Sequence, residues 1–277
     1  MTVAPNGVAN SDEVVSVLSE TRDGVLRITL NRPDAANAIR PEDRDALIEL
    51  FSSASADPAV RVVVLAANGK QFCAGADVRR LSGDRATKAK VVMDPMRRIM
   101  GGAQALVASI LDCDKPVICV VHGAAAGIGA HMAYASDLVV ATEQAYFAES
   151  FVKRGLVVDG GGAYLLPRRI GMQKAKEMAF FGEKLTAAEA FDLGLVNRVV
   201  APGELDDQVE EFATRLATAA TSAIGLTKRL FNESLDVDRN RSFVTEAMAQ
   251  EIQSYSHDSK EGVQAFVEKR PTEFLGR

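Results

Sequence analysis

Three short stretches of this chain hold the residue types best suited to act on a carbonyl group and a proton. Phe72-Cys73-Ala74-Gly75-Ala76-Asp77 gathers small residues where a strand would pass into a helix, so a ligand can approach the backbone closely. The Ala76 amide would lie near a helix start, where unpaired N–H groups attract negative charge. His122-Gly123-Ala124-Ala125-Ala126-Gly127-Ile128-Gly129-Ala130-His131 follows an apolar run and offers a second set of such amides. Two N–H donors aimed at one oxygen make an oxyanion hole, which stabilises charge developing on a carbonyl. The third stretch is Gly155-Leu156-Val157-Val158-Asp159-Gly160-Gly161-Gly162. Burial of Asp159 among these neighbours would raise its pKa and suit general acid/base work. Each stretch also has a plain reading: glycines make turns, and an aspartate before glycines caps helices. A dinucleotide site is excluded at Gly127-Ile128-Gly129, because the third glycine of that fingerprint is replaced by Met132.

Hydrophobic periodicity supplies the elements that must hold these loops. Val14 to Ser19 and Val25 to Leu30 read as strands joined by an Asp23-Gly24 turn. Pro41 to Ser53 reads as a helix, and Ala59 to Ala66 as a buried strand leading into the Gly69 to Ala76 loop. Arg80 to Met93 is polar and aperiodic and reads as a mobile segment. Met96, Ile99, Met100, Ala103, Val107 and Ile110 mark one helix by their spacing. Val117 to Val121 is a second buried strand. A turn over Gly123 to Gly129, a short helix to Ser136 and a strand over Asp137 to Ala141 follow. This order predicts an α/β core. From about Leu205 the strand signals stop, and helical stripes take over: Leu205, Val209, Phe212 and Leu216, then Val244, Met248, Ile252 and Tyr255. The expected division is a loose tail over 1–12, a core over 13–204 and a helical region over 205–277.

Charge and composition narrow the function. The 277 residues carry 32 Lys plus Arg against 37 Asp plus Glu, a net charge of -5, which makes a general nucleic-acid binder a poor fit. Cys73, Cys113 and Cys119 are odd in number and lack a CxxC spacing, which argues against a zinc ribbon or disulfide scaffold and fits a reducing cytoplasm. Met1 to Asp12 has no basic segment followed by an apolar one, so a secretory signal is not expected. The least polar run, Pro116 to Ala135, is interrupted by His122, His131 and several glycines, and reads as strand, turn and helix rather than a membrane span.

Taken in order, the motifs resemble the enoyl-CoA hydratase/isomerase (crotonase) superfamily. Leu30-Asn31-Arg32-Pro33-Asp34-Ala35-Ala36-Asn37-Ala38 is similar to its opening motif, Phe72 to Asp77 to its first oxyanion loop, and Gly123 to Gly129 to its second. Leu185-Thr186-Ala187-Ala188-Glu189-Ala190 with Gly194-Leu195-Val196-Asn197 resembles the segment leading to its helical tail, and Glu261-Gly262 through Phe274 its ending. The match runs from about residue 14 to 277. The resemblance implies a spiral of β-β-α units with two stacked, roughly perpendicular sheets and a C-terminal helical trimerisation region. It implies a homotrimer or dimer of trimers, and an acyl-CoA substrate whose thioester oxygen sits between the Ala76 and Ile128 amides. It further implies Asp34, Ala36, Ala74, Asp77, Val78, Gly127 and Phe151 around the substrate, with Lys269 near the coenzyme A. No metal or redox cofactor is implied, since coenzyme A is part of the substrate.

The departures from the family pattern carry as much information. The two catalytic glutamates of enoyl-CoA hydratases match His131 and Phe151 here, so neither carboxylate is present. Phe151 can neither activate water nor supply a proton. Asp159, eight positions after Phe151, falls where some CoA isomerases of the superfamily also carry aspartate. Phe147 to Arg168 resembles the phenylacetate-pathway epoxide isomerase and related Δ3,Δ2-enoyl-CoA isomerases, which also lack the hydratase pair. A dehalogenase branch uses that aspartate as a nucleophile, with a tryptophan and a histidine ahead of the second oxyanion loop. This chain has no Trp and no His before His122. Three hypotheses follow: an isomerase with Asp159 as base, water chemistry by Asp159 and His131, and a catalytically silent acyl-CoA binder. His131 is either a packed, hydrogen-bonded core residue or a partner to Asp159 or the acyl chain.

Overall fold

The computed structural model describes residues 15–77 and 92–277. β1 (Val17–Arg22) and β2 (Val25–Leu30) form an antiparallel hairpin in which Arg22 faces Val25. Asp23 and Gly24, at φ 50° and 81°, both take the left-handed conformation that a two-residue hairpin turn demands. That turn sets the register, so β1 starts later than expected and runs on past Ser19. In α1 (Pro41–Ala56), Pro41 sits in the first turn and Asp43 reaches back to the Arg40 amide. Asp57 then turns the chain, accepting from the Ala59 amide through its carboxylate, so β3 (Val62–Ala67) begins at Val62 rather than Ala59.

The single helix expected from Met96 to Ile110 is broken in its middle. α2 (Asp94–Ile99) and α3 (Ala105–Leu111) are joined by a π-helical turn over Met100–Gln104. Gly101 and Gly102 lie in that turn, where a glycine pair tolerates the distortion. Arg80 to Met93, read as mobile, lies largely outside the described residues. β4 (Val117–Val121) is as expected, but the turn after it contains a short strand, β5 (Ala124–Ala126), before α4 (Ile128–Ala135). β6 (Leu138–Thr142), β7 (Tyr146–Ala148), α5 (Gly162–Ile170), α6 (Met172–Phe181), β8 (Lys184–Thr186), α7 (Ala187–Asp192) and β9 (Arg198–Val200) complete the core. α8 (Leu205–Ala217), α9 (Thr221–Glu233), α10 (Arg239–Ser254) and α11 (His257–Glu268) follow.

The strands form a six-stranded sheet in the order β1-β2-β3-β4-β6-β9 and a three-stranded sheet in the order β5-β7-β8. Successive strands alternate between the sheets, β4 then β5 and β6 then β7, with α4 and α5 closing two of the turns. This is the spiral of β-β-α units that the sequence led us to expect. The central strands of the larger sheet are buried on both faces, which is why β3 and β4 read as unbroken apolar runs. Val63, Leu65, Val117 and Cys119 face the main core with Leu106, Ile110 and Tyr134. Val62, Val64, Ile118 and Val140 face Val209, Phe212 and Ala213 of α8. The first helical stripe is therefore core. The second is not: Val244, Met248, Ile252 and Tyr255 are 50%, 61%, 65% and 73% exposed. Among the described residues no helix is long and apolar enough to cross a membrane.

Candidate active site

The two glycine loops are zipped together by main-chain hydrogen bonds. The Cys73 amide donates to Ala124 O at 2.9 Å and the Ala126 amide to Cys73 O at 2.9 Å. The Gly127 amide is taken by Ala148 O at 3.0 Å. On the other side Ile39 and Asp77 amides complete a bridge around Ala76. These pairings consume the neighbouring donors. The Ala76 and Ile128 amides donate to no backbone acceptor among the described residues. Ile128 is the first residue of α4, where an amide has no partner inside the helix. Close approach of the loops requires their glycines. A Cβ on Gly75, at φ 110°, would stand 3.2 Å from Ala126 O, and one on Gly129 would stand 2.5 Å from Cys73 O.

Asp159 lies in the turn before α5 and is half-buried. It does not cap that helix: the N-cap is Gly161, without a side-chain hydrogen bond, and Asp159 contributes only its carbonyl, to the Gly162 amide at 2.9 Å. Burial pushes its carboxyl above the ordinary range. A positive charge on His131 would oppose that rise, and the negative charge of Glu149 adds to it. No hydrogen bond joins Asp159 to His131 among the described residues.

His131 is fully buried, and Nε2 lies 3.1 Å and 3.2 Å from the two carboxylate oxygens of Glu149, which is also fully buried. Its ring stacks on Phe151, 5.8 Å between centroids and 4° between planes. Phe151 in turn flanks Gly127, where an added Cβ would stand 3.7 Å from its ring. The glycine triplet fits the same imidazole. A Cβ on Gly162 would stand 2.3 Å from Nε2, and one on Gly160 would stand 3.2 Å from Nδ1. Tyr134, one helical turn from His131, is buried beside Glu149. Burial first, and then that negative charge, push its phenol well above the usual range.

The remaining expected residues serve the loops or lie apart. Asp34 is exposed in a short 3-10 turn over Pro33–Ala35. Ala36, at φ 48°, gives its carbonyl to the Ala74 amide at 3.0 Å. Ala74 itself is exposed. Asp77 accepts from Arg32 at 3.1 Å, which ties the first glycine loop to the segment over Leu30 to Ala38. Val78 lies outside the described residues. Lys269 is exposed, in the left-handed conformation that ends α11. His122 Nε2 lies 3.0 Å from Gly69 O. Two residues of the site were missed. Asn37 is buried and binds the Arg32 amide and the carbonyls of Asn68 and Gln71, all at 2.8 Å. Glu149 left one signal, an acidic residue directly after the apolar Phe147-Ala148. Among the described residues no group of three His, Cys, Asp or Glu is placed to hold a metal ion.

The enoyl-CoA hydratase/isomerase family model matches residues 20–277, and the chain belongs to that family. It is 34% identical over 261 residues to the 1,2-epoxyphenylacetyl-CoA isomerase of Escherichia coli strain K12, a match covering 94% of this chain and 98% of that one. It is 33% identical over 266 residues to the crotonyl-CoA hydratase of Syntrophomonas wolfei, covering 95% and 98%. The crystal structure of an enoyl-CoA hydratase/isomerase from Cupriavidus metallidurans CH34 superposes with a TM-score of 0.88 at 31% identity, covering 96% of this chain and 98% of that one. Relatives of similar identity thus include both an isomerase and a hydratase.

Proposed function

We propose that this protein moves a double bond, or opens a strained ring, in the acyl chain of a coenzyme A thioester. The Ala76 and Ile128 amides hold the thioester oxygen as it gains charge, and Asp159 takes a proton from one carbon and returns it to another. Coenzyme A enters as part of the substrate, and no metal or redox cofactor is required. The observation that carries this reading is the half-buried Asp159, whose carboxyl is pushed up by burial and leaves α5 uncapped by its side chain. A raised carboxyl is a stronger base, and general bases work best when their pKa approaches the operating pH. Phe151 disfavours water chemistry, because it makes apolar the position that a hydratase fills with its second glutamate. His131 is fully buried, with Nε2 held by Glu149.

The chain is further read as a homotrimer or dimer of trimers. Support comes from the outward apolar surface of the last helices, where Phe231, Phe243 and Phe266 are 73%, 63% and 85% exposed. Three buried, free cysteines suit work in a reducing cytoplasm. The functional test is a panel of 2-enoyl and 3-enoyl CoA thioesters of several chain lengths, followed by chromatography. Interconversion of the two positional isomers is expected. Formation of 3-hydroxyacyl-CoA instead would point to hydration, and thioester binding without turnover would point to a silent binder.

A further inference from the structure

Glu149 and His131 form a fully buried pair in which one imidazole nitrogen is used and the other is not. The carboxylate lies 3.1 Å and 3.2 Å from Nε2. With Glu149 as the acceptor, Nε2 carries the proton. Nδ1 has no hydrogen-bond partner among the described residues. It faces the turn that holds Asp159: a Cβ on the next residue, Gly160, would stand 3.2 Å away. A proton on Nδ1 as well would bury a donor that has no partner among the described residues. The uncharged Nε2–H tautomer leaves only that lone pair toward the Asp159 turn. No hydrogen bond joins Nδ1 to the Asp159 carboxylate in this arrangement, so that bond forms only when Asp159 gains a proton and its side chain turns toward the ring.

We propose that Glu149 is a positioning residue: it fixes His131 in the Nε2–H tautomer, so that Nδ1 accepts the O–H of Asp159 once that carboxyl has taken a proton from the acyl chain. This rests on Asp159 being the base. In the step, a C–H bond breaks, its proton passes to an Asp159 oxygen, and its electron pair enters the thioester enolate held by the Ala76 and Ile128 amides. The new O–H is directed at Nδ1. The same proton then leaves that oxygen for another carbon of the enolate, which restores the carboxylate and the unpaired Nδ1. Neither His131 nor Glu149 gains or loses a proton over the cycle. The stack on Phe151 holds the ring plane, and Gly160 and Gly162 leave it room.

The chain contains three histidines, His122, His131 and His257, so selective 15N labelling gives three ring systems, with His131 assigned from His131→Gln. In the wild type, His131 is expected to show a protonated Nε2 and an unprotonated Nδ1 at assay pH. Glu149→Gln, whose amide can donate or accept, is expected to mix the tautomers. Turnover is read on trans-3-hexenoyl-CoA, together with exchange of solvent deuterium into saturated hexanoyl-CoA. Glu149→Gln should lower kcat and exchange about tenfold, the effect of one hydrogen bond, with KM held within about twofold. Glu149→Asp, which keeps the charged acceptor, should recover part of the loss. A wild-type Nδ1 that carries a proton overturns the assignment without any variant having to fold. So does a folded Glu149→Gln protein with wild-type kcat and exchange. If the wild type neither isomerises nor exchanges, the reading of Asp159 falls and this proposal with it. An Nδ1 proton in an active wild type removes the role of Glu149 alone.

Discussion

Gly162→Ala tests whether the glycine triplet exists to seat His131. The added Cβ would stand 2.3 Å from Nε2, 2.7 Å from Cε1 and 2.8 Å from Val158 Cγ1, so something must move. The ring cannot slide freely, because Phe151 stacks on it and Glu149 holds Nε2. Overpacking of a buried site costs about 1–3 kcal/mol. Loss of a hydrogen bond to a buried charged group adds about 1.5–3 kcal/mol. The helix-propensity gain of alanine over glycine, about 1 kcal/mol, offsets only part of this. The net is about 2–5 kcal/mol, a substantial share of the roughly 5–15 kcal/mol typical of a domain. For a chain of this size each kcal/mol moves Tm by about 2–4 °C, so a fall of about 4–20 °C is expected. Thermal melts at equal protomer concentration measure it. Gly203→Ala is the control: it meets open space and should stay within about 0.5 kcal/mol of wild type. A Gly162→Ala protein that melts with the wild type would refute the claim that His131 is wedged beneath the triplet.

Asp159→Asn should lower kcat on the best isomerase substrate by roughly 10²–10⁴ while thioester affinity holds, because the proposed oxyanion donors are main-chain amides. Its Tm at neutral pH should hold or rise. A carboxyl raised in the folded state makes the folded protein bind protons more tightly, so its charged form costs stability above that pKa and Asn removes the cost. His131→Ala should lose less activity than Asp159→Asn and more stability; the reverse order in kcat would unseat Asp159 as the base. Burial alone would raise the Asp43 carboxyl, but hydrogen bonds from Arg40 and Ser16 outweigh it and hold it below the usual range. It therefore stabilises the fold above the unfolded pKa of about 3.9, and that contribution is lost as pH falls further. Asp43→Asn should flatten the fall of Tm between about pH 5 and pH 3, and an unchanged slope would contradict the sign. Sedimentation of the full chain should give a trimer or a multiple of it, with Ile252→Lys plus Phe266→Lys shifting it toward monomer. A wild type monomeric at micromolar concentration removes the trimer.

Much of the core was legible in the chain because the signals are local. Asp23-Gly24 can only turn, and the apolar runs at β3 and β4 can only be buried. The expected helix from Met96 to Ile110 was located correctly, yet its π-turn was not, because the distortion answers to packing: a Cβ on Gly102 would stand 2.7 Å from an Arg44 nitrogen. β5 was hidden inside a run of alanines that has no strand propensity of its own. It is a strand because Cys73 and β7 supply hydrogen bonds on both sides.

The candidate site divides along the same line. The residue types that point to an oxyanion hole and a base lie in three contiguous segments, so sequence alone determined which loops carry Ala76, Ile128 and Asp159. Spacing in the chain could not tell which side chains meet beneath them. Glu149 stands 18 residues from His131, and it reaches Nε2 only because β7 lies beside β5 and carries the chain past the start of α4. The same holds for the two apolar stripes of the C-terminal helices, which follow the same period. Only tertiary structure decided that Val209 and Phe212 cover the sheet while Met248 and Ile252 face outward. Helical period reports that a face must be covered; what covers it depends on the neighbours that the rest of the fold provides.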